Sequence, residues 1–319
     1  MLLKVILFIV GLIFVVKGAD YFIEGSSALA KKLRVPTLVI GLTLVSFGTS
    51  LPEMVVNVIS SINGLSSVAI GNIVGSNIAN LLLILGLAAL FMPLKISIST
   101  VWKEIPFSLL AAASLFFMAN DSIIDKTSAP VLSRTDGLVF LMFFIIFIYY
   151  VVNMALTSRS QFPEIKTKSN LFIVLSIIGG LSVLILGGKW VVDGAVAIAK
   201  AIGVSDYIIS VTVVAVGTSI PELVTTVAAA LKKEMDIAVG NIVGSNIFNI
   251  FFILGISALI NPVPMALDYA VDMLILMAIT LILFVYMFIG KKHEMERWQG
   301  ASFILFYILF VISIIIRAK

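Results

Sequence analysis

The chain has 319 residues, 61% of them hydrophobic and 12% charged, with a mean hydropathy of +1.20. Soluble domains sit near about 45–50% apolar residues, so this composition excludes one and indicates an all-α polytopic membrane protein. The absence of cysteine removes disulfides, thiolate metal sites and cysteine nucleophiles, a single histidine (His293) argues against an imidazole-rich metal site, and a net charge of +4 without a basic cluster argues against nucleic acid.

A hydrocarbon core about 30 Å thick needs roughly 20 apolar residues per helix. On that scale the sequence predicts ten spans, near 3–30, 36–62, 67–91, 101–119, 137–156, 171–200, 206–231, 236–260, 268–289 and 300–316. The first, VILFIVGLIFVV after Lys4, resembles a signal-peptide core with Ala28-Leu29-Ala30 as a cleavage site. Its recurrence inside the chain argues for a membrane helix instead.

That recurrence is a duplication. An offset of 169 residues aligns GTSLPE (48–53) with GTSIPE (217–222), and GNIVGSNIAN (71–80) with GNIVGSNIFN (240–249), the second pair differing only at Ala79 and Phe248. The expected organisation is a first five-helix repeat over 1–156 (motif 46–80), a linker over 157–169, and a second repeat over 170–319 (motif 215–249). Five spans is an odd number, so the second repeat should enter the membrane from the opposite side, giving inverted repeats. Most lysines and arginines then fall on the linker's side, which the positive-inside rule assigns to the cytoplasm, with both termini outside.

The two motifs place Glu53 and Glu222 directly after Pro52 and Pro221, at matching depth in apolar runs. A charge at a helix centre costs about 2.5–3.5 kcal/mol on insertion scales, and no repeated lysine or arginine stands in these blocks to offset it. A bound cation would. The prolines lack an N–H, so the carbonyls of Gly48 and Gly217 lose their helical donors and the second and seventh helices should break there. Thr49, Ser50, Thr218 and Ser219 add hydroxyls. Ser76 with Asn80, and Ser245 with Asn249, share a face if their segments are helical. Two carboxylates among many neutral oxygens suit one calcium ion, and sodium can use the same oxygens. Gly71, Gly75, Gly240 and Gly244 read as helix-packing residues, and Asn72, Asn77, Asn241 and Asn246 as structural amides bonding broken backbone.

At this point the paired motifs resemble the two alpha-repeats of the sodium/calcium exchangers within the calcium/cation antiporter superfamily, in the compact prokaryotic form. The resemblance implies an antiporter that exchanges sodium for calcium, three for one, with helices one and six sliding across a core of helices two, three, seven and eight. It implies calcium on Glu53, Glu222 and the carbonyls of Thr49 and Thr218. An outer sodium site would use the Ala215 carbonyl, Thr218, Ser219, Ser245 and Glu222. An inner one would use the Ser46 carbonyl, Thr49, Ser50, Ser76 and Glu53, with a middle position at Asn80 and Asn249. Potassium-dependent relatives carry aspartate where Asn249 stands, and Ser46 differs from its mate Ala215. No resident cofactor and no protein partner is expected beyond the ions and the bilayer. A proton/calcium exchanger or a calcium channel could use the same glutamates. An enzyme is disfavoured, because neither Ser50 nor Ser219 has a histidine or lysine base in its block.

Overall fold

The computed structural model describes residues 2–121, 130–158, 168–201, 217–265 and 267–317. Eleven helical segments are followed here: α1 (Leu2–Leu33), α2 (Thr37–Thr49), α3 (Leu51–Ile62), α4 (Val68–Phe91), α5 (Thr100–Ala119), α6 (Arg134–Ser158), α7 (Asn170–Ala201), α8 (Ile220–Leu231), α9 (Met235–Ile260), α10 (Leu267–Tyr286) and α11 (Arg297–Arg317). Among the described residues eight helices are long and apolar enough to cross a membrane, and the bent pair α2 and α3 makes a ninth. The expected span 206–231 is represented by α8, since 202–216 lies outside the described residues.

The chain divides into two compact units, and each draws on both halves of the sequence: Met1–Pro52 with Val151–Asn241, and Glu53–Tyr150 with Ile242–Lys319. In the first, α1 lies along α7 in an unusually close approach. A Cβ added to Gly18 would lie 2.8 Å from the Gly180 carbonyl, and one added to Gly187 would lie 2.9 Å from the Gly11 carbonyl. Glycine on both helices is what lets two backbones meet without side chains between them.

In the second unit α4 and α9 are the most enclosed of the long helices. Across α4 and α9, 78% and 83% of the apolar windows are buried, whereas α6 has 17% and turns Ile145 and Tyr149 outward. Apolar surface facing outward is stable only in lipid. The packing is reciprocal: Gly86 of α4 abuts Gly300 of α11, and Gly255 of α9 abuts Gly137 of α6. Two short antiparallel pairings repeat the pattern, β1 (Leu94–Lys95) with β4 (Glu294–Met295) and β2 (Val131–Leu132) with β3 (Val263–Pro264). Phe140, Phe143 and Phe107 close around Phe251, giving α9 an aromatic collar that the leucines of α4 do not have.

The helices are not uniform. Gly41–Val45, Asn80–Leu85, Thr100–Glu104 and Phe248–Leu254 are π-helical. The second and fourth begin at the asparagine-bearing ends of the repeated motifs, and such turns recur at functional sites.

The α1 and α7 contact yields a stability prediction. Gly180→Ala puts a methyl 2.6 Å from the Phe22 nitrogen, whereas at Gly179 nothing lies within 4 Å. The first should cost about 1–3 kcal/mol and lower the melting temperature in detergent. The second should be neutral or stabilising by up to about 1 kcal/mol, and equal losses at both positions would disprove the close approach.

Candidate functional site

The apolar span 37–62 is interrupted where the sequence places Pro52. Helices α2 and α3 meet at Ser50 with a bend of 49°. Ser50 has φ −82° and ψ 7°, and its repeat mate Ser219 has φ −89° and ψ 9°. Both therefore occupy the bridge region between helix and strand, which is sparsely populated and frequent at functional sites. Pro52 and Pro221 each open a new helix, where a missing N–H is harmless.

This restart fixes the glutamates. Glu53 and Glu222 fall in the first turns of α3 and α8. A helix N-terminus carries partial positive charge from its unpaired N–H groups and favours a carboxylate by about 0.3–1 kcal/mol, more when partly buried. Sequence reasoning saw no compensating cation in the blocks and missed this one, although the proline two residues into each new helix signals it. Both glutamates are 1% exposed.

In the first unit the Ser50 hydroxyl donates to Glu222 Oε1 at 3.0 Å. Glu222 Oε2 has no hydrogen-bond partner among the described residues. Thr49 Oγ1 lies 3.0 Å from Asn241 Oδ1, 3.1 Å from the Val45 carbonyl and 3.3 Å from the Ser46 carbonyl, and its single proton is shared among these acceptors. Asn241 spends its amide on Thr226 Oγ1 at 2.9 Å. Ser46 and Ser219 are buried here and Thr218 is half-buried. Ala215 lies outside the described residues.

The second unit holds Glu53, Ser76, Asn80, Ser245 and Asn249, all buried. Asn77 and Asn246 exchange amides across α4 and α9, each Nδ2 donating to the other's carbonyl at 3.2 and 3.3 Å. Asn80 then donates Nδ2 to Asn246 Oδ1 at 3.0 Å, and Asn249 donates to Asn77 Oδ1 at 2.9 Å. Each amide nitrogen in this lattice donates one bond to protein. The acceptors Asn80 Oδ1, Asn249 Oδ1 and Ser76 Oγ have no partner among the described residues. Asn77 and Asn246 are structural, as their sequence suggested, but they bridge two helices and do not patch a broken one.

Gly240 packs as expected, an added Cβ falling 3.1 Å from Gly41 Cα. Among the described residues a Cβ at Gly71 makes only ordinary contact with Tyr269 at 3.7 Å, and one at Gly75 has nothing within 4 Å.

Among the described residues no group of three or more His, Cys, Asp or Glu side chains gathers. A cation would be held by isolated carboxylates among neutral oxygens, which is a hard-ion donor set. A cavity of about 670 Å³ in the first unit is a separate feature. It is lined by Glu24, Ser27, Lys168, Lys232 and Glu234, and its charges are largely matched, with Lys168 3.5 Å from Glu24 and Ser27 donating to Glu234 at 2.8 Å.

The sequence model described as sodium/calcium exchanger protein matches residues 3–153 and 172–316. The chain is 33% identical to the sodium/calcium exchanger MaX1 of Methanosarcina acetivorans, over 96% of this chain and 97% of that one. It is 37% identical to the inner membrane protein YrbG of Escherichia coli, over 86% and 87%. A solved structure of the sodium-calcium exchanger NCX_Mj, soaked with sodium and strontium, superposes with a TM-score of 0.83 at 33% identity, covering 98% of this chain and 99% of that one.

The amide lattice predicts energetic coupling. Asn77→Leu and Asn249→Leu, made singly and together, should show a coupling of about 0.5–3 kcal/mol in thermal unfolding, and so should Asn246→Leu with Asn80→Leu. Strict additivity of both pairs would mean that the amides do not hold one another.

Proposed function

Because the chain belongs to the sodium/calcium exchanger family, we propose that this multi-pass membrane protein, which is a transporter and not an enzyme, exchanges sodium for calcium by alternating access at a site shared by Glu53 and Glu222. The observation that carries the proposal is the state of Glu222. It is a buried carboxylate at a helix restart, with one oxygen held by Ser50 and the other without a hydrogen-bond partner among the described residues, and Glu53 stands at the matching restart of the other repeat.

In this reading ten spans form two inverted repeats. The reciprocal glycine contacts and the reciprocal asparagine bonds of the second unit support it, because each is what exchange of the two repeats produces. Calcium takes Glu53, Glu222 and the carbonyls of Thr49 and Thr218. Sodium takes the flanking oxygens: the Ala215 carbonyl, Thr218, Ser219 and Ser245 with Glu222 on one side, and the Ser46 carbonyl, Thr49, Ser50 and Ser76 with Glu53 on the other. Asn80 and Asn249 face the middle. Both termini lie outside.

Two fixed negative charges are neutralised by one calcium ion, whereas three sodium ions leave one positive charge. Exchange of three for one therefore moves net charge and responds to voltage. A tenfold sodium gradient supplies about 1.4 kcal/mol per ion and 100 mV about 2.3 kcal/mol per charge. Together they amount to about 6.5 kcal/mol, enough for a calcium ratio above roughly ten thousandfold. Two for one would sustain only about a hundredfold. The empty site cannot cross, because two unpaired carboxylates would be dehydrated together.

The test is calcium flux into proteoliposomes with sodium, potassium and proton gradients imposed one at a time. Sodium should drive uptake, and a positive-inside or positive-outside voltage should shift it. Uptake driven only by protons would reassign the protein as a proton/calcium exchanger, and conduction without a counter-ion as a channel. Glu53→Gln and Glu222→Gln should each abolish exchange. They should also remove the calcium-dependent stabilisation, read as a rise in melting temperature, which for the unmutated protein corresponds to about 2.7 kcal/mol at a hundred times Kd.

A further inference from the structure

Helix α3 buries more polar surface than the proposed calcium and sodium sites use. Its buried residues are Glu53, Asn57, Ser60 and Ser61, a spacing that lines one helical face, while Val55, Ile59 and Ile62 are exposed on the other. Asn57 is fully buried and Ser61 is 1% exposed. Asn57 Nδ2 donates to the Glu53 carbonyl at 2.8 Å, so the donor end of the amide is engaged by its own helix. Its Oδ1 has no hydrogen-bond partner among the described residues, and neither has Ser61 Oγ. Two buried oxygens one turn apart, both able to accept, follow directly on from a carboxylate.

The second repeat lacks this feature. Helix α8 buries Glu222, Thr225, Thr226, Ala229 and Ala230 at the corresponding places. Thr226, the mate of Asn57, already accepts the Asn241 amide at 2.9 Å, and Ala230 replaces Ser61. On α8 Thr225 Oγ1 is also buried without a partner, but no second unpartnered oxygen stands one turn beyond it, so among the described residues of these two helices the pair of free oxygens one turn apart is found on α3.

We propose that Asn57 Oδ1 and Ser61 Oγ form an auxiliary sodium-binding position on α3, between Glu53 and the membrane surface nearest Ile62. The chemistry favours an alkali cation. Two neutral oxygens supply no negative charge, and calcium requires 6–8 oxygen ligands with charge to match, whereas a partly hydrated monovalent ion needs only a few dipoles in place of lost water. The inference rests on the reading of Glu53 as a cation ligand. If the repeats are inverted, α3 and α8 lead to opposite membrane surfaces, and the auxiliary position serves one surface only.

The experiment uses the full-length protein in oriented proteoliposomes, with sodium varied on one side at a time during calcium exchange. Ser61→Ala removes one oxygen, leaves the Asn57 bond in place and copies the residue found at 230. Asn57→Thr copies the residue found at 226. Each should raise the half-saturating sodium concentration on the Ile62 side about threefold to tenfold, the loss expected for one neutral polar contact. The value on the opposite side should not move, and Ser61→Thr, which keeps the hydroxyl, should restore the original value. No shift on either side, or an equal shift on both, overturns the proposal. Absence of sodium-driven calcium exchange in the unmutated protein overturns this reading together with the proposed function. Exchange that Glu53→Gln abolishes but Ser61→Ala leaves unaltered on both sides overturns this one alone.

Discussion

Lipid offers no hydrogen-bond donors, so every oxygen turned toward the interior of a membrane protein must be satisfied from within. In this molecule the donors are consumed systematically. The amides of Asn77, Asn80, Asn241, Asn246 and Asn249 are all committed to protein acceptors, and the Ser50 hydroxyl is committed to Glu222. Among the described residues Glu222 Oε2, Asn80 Oδ1 and Asn249 Oδ1 remain as unmatched acceptors, together with the Ser76 hydroxyl, whose lone pairs are unused. Buried oxygens with unused lone pairs favour a cation over an anion. They are also costly to maintain without one, at about 1–3 kcal/mol for each buried unsatisfied group.

Backbone geometry makes that arrangement possible. A proline cannot continue α2, but it can begin α3, and the same holds for Pro221 at α8. The interruption turns a mid-membrane glutamate into a first-turn glutamate, facing the positive end of its own helix. The π turns after Ala79 and Ile247 then begin where the helices carry Asn80 and Asn249. Rigid support comes from glycine seams: Gly86 on Gly300, Gly255 on Gly137, and the long contact of α1 with α7.

Much of this was legible in the residues. Hydropathy marked the spans, the duplication marked both motifs, and Pro52 and Pro221 marked the interruptions at Ser50 and Ser219. The π turns were not legible, because a shift of hydrogen-bond register from i+4 to i+5 leaves no side-chain pattern of its own. The asparagine lattice was half visible: Asn77 and Asn246 read as structural, but a one-dimensional sequence cannot say that an amide crosses to another helix. The compact units also cut across the two sequence repeats. Packing pairs α4 with α9 and α11, and α1 with α7, so neighbours in space come from opposite halves of the chain.

Duplication explains the symmetry of the site, and divergence within it explains why a carrier of this kind need not treat the two membrane surfaces alike. The acids are strictly matched, as are Thr49 with Thr218, Ser50 with Ser219, Ser76 with Ser245 and Asn80 with Asn249. The positions around them are not: Ser46 corresponds to Ala215, Asn57 to Thr226, Ser60 to Ala229 and Ser61 to Ala230, while Val56 corresponds to Thr225. Four of these five differences place the more polar residue in the first repeat. On the proposed reading, matched ligands would keep the occupied site nearly equal in energy whichever way it opens, which alternating access requires. Unmatched flanks would alter only the approach, tuning how readily ions arrive from one surface without unbalancing the site at which exchange is proposed.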